Sequence, residues 1–366
     1  MKSSKSLFAF LLLAIICVCM TCSGFVQGPG KQPDLTITAA DRAAVIDGLI
    51  KLMNDTYVFP ETAAKMEKSL RDHQQKKEYD NITSAQSFVE ALTSHVQEIS
   101  HDKHLRVRYS YEPIPKEDPY GPPSPERAAK RRELLRTTNY GFEKIERLPG
   151  NIGYLDMRGF VPAGMGAETA NAAMTFLANT DALIIDMRKN GGGDPQMVAL
   201  IASYLFDNQP VHLNDFYNRV ADQKRESWTS EKVAGKRFGA EKPVYILTSN
   251  YTFSAAEEFT YDLKNLKRAT IIGETTGGGA NPGGEQQITD HFSAFIPTGR
   301  AINPITKTNW EGTGIKPDVD VTAEKAFKIA HMTAMKKVLE KVTDPERKDA
   351  IGRAIADLQK EMDAGK

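Results

Sequence analysis

The chain has 366 residues, of which 40% are hydrophobic and 26% are charged, as is usual for a soluble globular protein of one large domain or two. Lysine and arginine together number 47, and so do aspartate and glutamate, so the formal net charge is zero. This balance gives no reason to expect nucleic acid or an acidic membrane surface as a partner.

Residues 1–24 predict a signal peptide. Two lysines precede an apolar run at 7–19, and small residues follow at 22–24. The run is short for a membrane span. An uncleaved anchor, or a lipid anchor on Cys17 or Cys22, is the alternative. We therefore expect an exported protein, secreted or periplasmic, with no stable membrane insertion after cleavage.

The cysteines indicate what the mature protein lacks. Cys17, Cys19 and Cys22 are the only three, and all lie in or beside the predicted signal peptide. Its removal would exclude disulfides, a cysteine nucleophile and a thiolate metal site. His101 and His104 are three residues apart, which alone is weak support for a metal site. We expect neither a metal nor another cofactor.

The hydrophobic pattern divides the rest of the chain. Apolar residues at three- and four-residue spacing predict an N-terminal helical domain over 38–105. A proline-rich connecting segment follows at 106–150. Over 151–322, apolar runs of strand length alternate with amphipathic helices, which predicts a layered α/β domain. The highly charged tail, 323–366, is predicted to be helical.

A glycine cluster follows one predicted buried strand. The strand at 183–187 runs into Gly191, Gly192 and Gly193, and Pro195 stands near the start of a helix. Glycines let the backbone turn sharply and present its N–H groups to a ligand, which suits an oxyanion hole or a phosphate cradle. The lysine of a Walker A loop and the GxGxxG spacing are both missing, which disfavours a nucleotide site. A purely structural turn explains the pattern equally well.

Ser254 follows the next buried strand and begins a helix. Free N–H groups at a helix start can stabilise an oxyanion beside a nucleophile. Ser254 and Glu257 also fit a capping box, and the local pattern alone favours the cap. A nucleophilic serine needs a base, and His104 lies at the junction of the two domains. Glu311, in a turn-rich stretch, could orient that histidine or be solvated.

Together, these stretches resemble the tail-specific (C-terminal-processing) serine protease family. The resemblance is narrower to the branch that contains the tricorn protease core and the repeats of interphotoreceptor retinoid-binding protein. The ordered set is specific and favours a nucleophile at Ser254. The matching segments are Gly153-Tyr154-Leu155, Asp186-x-Arg188-x-Asn190-x-Gly192-Gly193, Ser254-Ala255-Ala256-Glu257, Gly273-Glu274-Thr275-Thr276-Gly277 and Gly314-Ile315-x-Pro317-Asp318.

The resemblance implies a fold and decides between two mechanisms. The fold is an α/β (α+β) core like those of crotonase and Clp protease, behind an N-terminal helical bundle. Residues 105–150 are too few for a PDZ domain. Many family members use a Ser–Lys dyad, but Gly279 stands where that lysine would be, and no lysine lies between Arg268 and Lys307.

In the tricorn-like branch a histidine before the α/β domain is the base, and a glutamate near the Gly-x-x-Pro-Asp stretch orients it. His104 and Glu311 match these places, although Lys103 precedes His104 where the tricorn core has a serine. The implied roles are a Ser254 nucleophile, a His104 base and a supporting Glu311. N–H groups of Ala255 and of a glycine within 191–193 would form the oxyanion hole.

We therefore predict an exported serine-type endopeptidase that acts on peptides or unfolded proteins. Because a fold does not fix a function, a non-catalytic binding protein for apolar ligands or peptides is one alternative. An esterase or amidase that uses the same acyl-transfer groups is another.

Overall fold

The computed structural model describes residues 32–115 and 124–364. The predicted signal peptide lies outside these residues. Within them, no helix combines the length and apolar character needed to cross a bilayer.

The helices, in chain order, are α1 (Ala39–Thr56), α2 (Pro60–Gln75), α3 (Ala85–Ser100), α4 (Pro125–Thr137), α5 (Ala163–Leu177), α6 (Pro195–Ser203), α7 (Ala255–Asn265), α8 (Ala323–Leu339) and α9 (Pro345–Asp363). The strands are β1 (Arg106–Tyr109), β2 (Phe142–Leu148), β3 (Ile152–Met157), β4 (Ala182–Asp186), β5 (His212–Asn218), β6 (Gln223–Trp228), β7 (Val244–Thr248), β8 (Thr270–Gly273), β9 (Gly283–Gln287), β10 (Phe292–Pro297), β11 (Gly299–Ile302) and β12 (Val319–Asp320).

Local sequence signals set the ends of the first three helices. Thr38 and Asp41 form a reciprocal capping box at α1, and Pro60 opens α2, where its missing N–H costs nothing. The Ser84 hydroxyl accepts a hydrogen bond from the first turn of α3. His101 ends α3 in the left-handed conformation, with φ of 54°. The turn that follows α3 carries His104.

A six-stranded sheet forms the centre of the larger part, in the order β12-β8-β7-β4-β3-β2. Neighbours are parallel except for the antiparallel β2–β3 pair. Because successive side chains of a strand point to opposite faces, Leu183 and Ile185 pack against α5, α6 and α7. Ile184 packs instead against α8 and α9. This layered arrangement confirms the predicted α/β core.

Two smaller sheets complete the fold. One has the order β1-β10-β9 and is antiparallel, and its apolar side chains pack against α1, α2 and α3. The other has the order β11-β5-β6. Because β4 and β7 are parallel neighbours, the loops that follow them emerge at the same edge of the central sheet, where ligand sites of open α/β sheets form.

Candidate active site

The two loops at the sheet edge bring the glycine cluster against Ser254. The Phe253 N–H donates to the carbonyl oxygen of Asn190 at 3.2 Å. A Cβ atom added to Gly192 would lie 2.7 Å from the Cβ of Ser254, so no side chain fits at position 192. The two constellations that the sequence singled out are therefore in direct contact.

Ser254 has a strained backbone immediately before α7. Its φ of 56° and ψ of −124° lie outside the regions that residues with a Cβ ordinarily occupy. Such strain costs about 1–3 kcal/mol and persists where the surrounding structure holds it, often at functional sites. A sharp strand-to-helix turn of this kind exposes the hydroxyl of nucleophilic serines in other α/β enzymes.

Three backbone N–H groups near Ser254 are available to a ligand. Those of Gly191, Gly193 and Ala255 donate to no acceptor among the residues that the structure describes, and all three residues line the same cleft as Ser254. The Gly192 N–H differs, because it donates to Asn190 Oδ1 at 2.9 Å. Gly192 therefore shapes the turn, while its neighbours retain the free donors.

His104 lines this cleft too. The cleft has a volume of about 690 Å³. The imidazole lies against two phenylalanines, with ring centroids 4.6 Å from Phe253 and 5.7 Å from Phe295. Burial, with a smaller contribution from the charge of Arg106, lowers the pKa of His104 to about 4. The ring is therefore neutral at neutral pH and can accept a proton, although it forms no hydrogen bond with Ser254 in this structure.

Two buried acids lie behind His104. An oxygen of Asp102, an oxygen of Glu311 and a ring nitrogen of His104 all lie within 4.8 Å of one another. The Nδ1 atom of His104 is 4.0 Å from Asp102 Oδ1 and is buried without a hydrogen-bond partner in the described chain. Glu311 Oε1 is buried in the same way. The structure thus places the predicted Glu311 near His104, together with an acid that sequence reasoning missed.

Asp102 is held firmly by donors. It accepts hydrogen bonds from Asn281 Nδ2 at 2.9 Å, Tyr57 OH at 3.2 Å and the His104 N–H at 3.0 Å. Glu311 has one short contact, from the Ala280 N–H at 2.5 Å. Burial raises the pKa of both acids, that of Glu311 to about 8, with the nearby Asp102 carboxyl adding to the effect. The two carboxyls therefore ionise less readily than carboxyls in water.

Glu257 ties the start of α7 to the loop beside it. Its carboxylate accepts hydrogen bonds from the N–H groups of Gly278 at 2.7 Å, Gly279 at 2.8 Å and Ser254 at 3.0 Å, and from the Thr276 hydroxyl at 2.5 Å. The glutamate of the Ser254–Glu257 pattern therefore fixes the loop next to His104 as well as the serine backbone.

The Asp186-x-Arg188 motif directly precedes the glycine cluster in the chain and is held in place by hydrogen bonds. The Arg188 guanidinium forms two hydrogen bonds to the Asp186 carboxylate, at 2.9 and 2.5 Å, and the Tyr154 hydroxyl donates to the same carboxylate at 2.7 Å. Arg188 also donates to the Ala323 carbonyl at 2.6 Å, which joins the loop after β4 to α8.

Besides the group around His104, two sets of side chains among the described residues have the right types for a metal. They are His73, Glu78 and His95, and His212, Asp215 and Glu226. Each of these histidines already has a protein partner at one ring nitrogen: His73 contacts Glu78, His95 contacts a tyrosine hydroxyl and His212 contacts Asp215. These sets are explained by local hydrogen bonding.

Comparison with known proteins agrees with the geometry. Residues 151–321 match the family model described as Peptidase family S41. Residues 35–138 match the model described as the N-terminal domain of Peptidase_S41 in eukaryotic IRBP. Both the predicted resemblance to the tail-specific family and the narrower resemblance to the retinoid-binding branch are thereby confirmed.

Individual proteins show the same relationship at low identity. A tail-specific protease of Haemophilus influenzae is 26% identical over 172 residues, which is 46% of this chain and 21% of that protein. A chloroplastic carboxyl-terminal-processing peptidase 2 of Arabidopsis thaliana is 24% identical over 182 residues, 48% of this chain and 34% of that protein. The chain thus spans only 21% and 34% of the length of these two relatives.

A solved structure assigned as a peptidase from Parabacteroides merdae has a TM-score of 0.53 at 18% identity. The match covers 77% of this chain and 90% of that one. At this identity the likeness concerns the fold.

Proposed function

The chain belongs to peptidase family S41, and we propose that it is a serine endopeptidase that cleaves peptide bonds through an acyl-enzyme on Ser254. The observation that carries the proposal is the meeting, in one cleft, of a strained serine at a helix start, a neutral buried histidine and free backbone N–H groups. These are the groups that acyl transfer requires.

The first step is attack on the substrate carbonyl. Ser254 Oγ forms a bond to the carbonyl carbon while His104 Nε2 takes the hydroxyl proton. The Nδ1 atom of the ring lies 4.0 Å from Asp102 Oδ1, and Asp102 and Glu311 stabilise the imidazolium that forms. We expect Ser254 and His104 to form their hydrogen bond when substrate binds, because catalytic hydrogen bonds are often long in a free enzyme.

The oxyanion that develops accepts hydrogen bonds from the N–H groups of Gly193 and Ala255, with Gly191 as a further donor. Gly192 was also predicted as an oxyanion donor, but we do not include it, because its N–H already donates to Asn190 Oδ1. His104 then gives its proton to the leaving amine as the C–N bond breaks. A water molecule later attacks the acyl-enzyme with His104 again as base, and Ser254 is regenerated. Loss of one oxyanion donor costs about a hundred- to a thousandfold in rate.

We also propose that the enzyme is exported and acts on peptides or unfolded proteins. The pattern at residues 1–24 supports export. The cleft of about 690 Å³ is large enough to take an extended segment of a peptide chain.

The test uses protein that begins at Phe25 and a fluorophosphonate probe, which labels activated serines. We expect labelling of the parent and of Ser230→Ala, a matched control at a surface serine, and none of Ser254→Ala or His104→Ala. Unfolded casein and a simple ester are then compared as substrates. Ester hydrolysis without casein cleavage would replace the peptidase by an esterase, and a folded parent that stays unlabelled would contradict the proposal.

A further inference from the structure

Helix α7 carries two buried acids that the proposed mechanism does not use. Glu258 is 2% exposed and Asp262 is 1% exposed. They are four residues apart, so their side chains are neighbours on one face of the helix. Buried carboxyls are costly unless they are paired or hydrogen-bonded, so two of them side by side need a physical reason.

These two acids have few hydrogen-bond partners. Asn303 Nδ2 donates to Asp262 Oδ1 at 3.1 Å. Glu258 Oε1 and Asp262 Oδ2 are buried with no hydrogen-bond partner in the described part of the chain. Burial, and then the charge of Asp194, raises the pKa of Glu258 to about 8, while Arg225 lowers it. The fold itself leaves the Glu258 carboxyl without a donor.

Glu258 lies in the wall of the Ser254 cleft. Its N–H donates to the Ser254 carbonyl oxygen at 2.9 Å, which places it one helical turn beyond the serine. Helical side chains lean towards the helix N-terminus, so the Glu258 carboxyl leans towards Ser254. Among the described residues, Glu258 is the one carboxylic acid that lines this cleft.

The surroundings of Glu258 are suited to a long cationic side chain. Apolar groups of Pro195, Phe216 and Pro282 line the same cleft. Lysine and arginine have an apolar stem and a charged tip, which match apolar walls and an acidic base. The basic residues Lys103, Arg106 and Arg108 of the cleft lie in β1 or in the turn before it, on the His104 side, and not on α7.

We propose that Glu258, supported by Asp262, forms the base of a substrate subsite beside Ser254 that binds a lysine or arginine side chain of the peptide. The cation supplies the partner that Glu258 Oε1 lacks. Cleavage next to the bound lysine or arginine rests on the proposed peptidase function. Preferential binding of the cationic side chain does not rest on it.

Binding is measured with the Ser254→Ala protein and fluorescein-labelled pentapeptides Ala-Ala-X-Ala-Ala in which X is lysine, norleucine or glutamate. Fluorescence anisotropy gives each dissociation constant. We expect the lysine peptide to bind about ten- to a hundredfold more tightly than the norleucine peptide, as for a hydrogen bond to a charged group. Adding Glu258→Gln, which keeps the shape, removes this difference and leaves norleucine binding unchanged.

Two further variants guard the result. Glu324→Gln, at a surface glutamate on α8, keeps the lysine preference. Asp262→Asn is the second probe should Glu258→Gln not fold, and it reduces the preference. Equal binding of the three peptides, including no binding of any of them, overturns the inference, and so does a lysine preference that survives Glu258→Gln.

The fluorophosphonate assay separates this inference from the proposed function. Labelling at Ser254 without a lysine preference leaves the peptidase standing and removes the subsite. A lysine preference in a protein that is not labelled keeps the subsite and removes the peptidase.

Discussion

The imidazole of His104 occupies the space that a side chain at position 279 would enter. A Cβ atom added to Gly279 would lie 2.7 Å from His104 Cε1. Position 279 is where the dyad lysine of many tail-specific proteases would stand by resemblance. A side chain there and this histidine position exclude each other, which supports the proposed role of His104 as the base.

We first predict that Gly279→Ala reduces kcat/KM about a hundredfold. The added methyl group would displace the rings of Phe253 and His104, and a shift of about 1 Å in a catalytic group can cost this much. Peptide cleavage by the purified variant measures the loss. Gly284→Ala is the matched control, because a Cβ there meets nothing within 4 Å, and it should keep full activity. Full activity of Gly279→Ala would contradict the assigned position of the base.

The second prediction concerns pH. His104 must be neutral to accept a proton, and burial lowers its pKa to about 4. As far as it depends on His104, kcat/KM should stay constant from neutral pH down to about pH 5. Below about pH 4 it should fall about tenfold for each pH unit. Arg106→Gln removes a positive charge that lowers this pKa, so the inflection should move to higher pH. An unchanged inflection in that variant would exclude His104 as its source.

Glu257 allows a stability prediction. Glu257→Ala leaves three buried donors and one partly buried donor without their acceptor, so the free energy of unfolding should fall by at least about 3 kcal/mol. Urea denaturation measures this. Glu340→Ala removes an exposed carboxylate paired with Lys337 and should change the free energy by less than about 1 kcal/mol. Similar values for the two variants would show that Glu257 does not anchor the loop.

The two acids behind His104 should substitute for each other in part. Glu311→Gln keeps an acceptor for the Ala280 N–H and leaves Asp102 as the acid beside His104. We expect a loss of about tenfold in kcat/KM for Glu311→Gln and at least about a hundredfold when Asp102→Asn is added. Steady-state kinetics on the three proteins tests this. A double variant no worse than Glu311→Gln would exclude a role for Asp102.

The parts of the site that the sequence predicts are those encoded locally. Ser254 and the glycines each follow a buried strand, and such strand-to-loop transitions are visible in the hydrophobic pattern. Asp102 was missed because its burial depends on Tyr57 and Asn281, which are 45 and 179 residues away along the chain. No local pattern marks such a residue, although its place two residues before His104 is a weak signal.

The sequence also does not predict the hydrogen bond from the Gly192 N–H to Asn190 Oδ1, because this bond depends on the rotamer of Asn190. Strand β6 is one of the strands that the hydrophobic pattern does not predict. Its residues are nearly all polar and exposed, so no period-two alternation is present. Its antiparallel pairing with β5 forms it instead. Tertiary contacts thus decided these features.

Peptide cleavage by Ser254→Ala tests the central claim most directly. The variant removes only the hydroxyl oxygen from a residue whose backbone is held by the Glu257 carboxylate, so the fold should be retained, which circular dichroism checks. We predict that kcat/KM falls by at least about 10⁴-fold, as expected when a serine nucleophile is lost. Activity within about tenfold of the parent, from protein free of contaminating protease, would show that Ser254 is not the nucleophile.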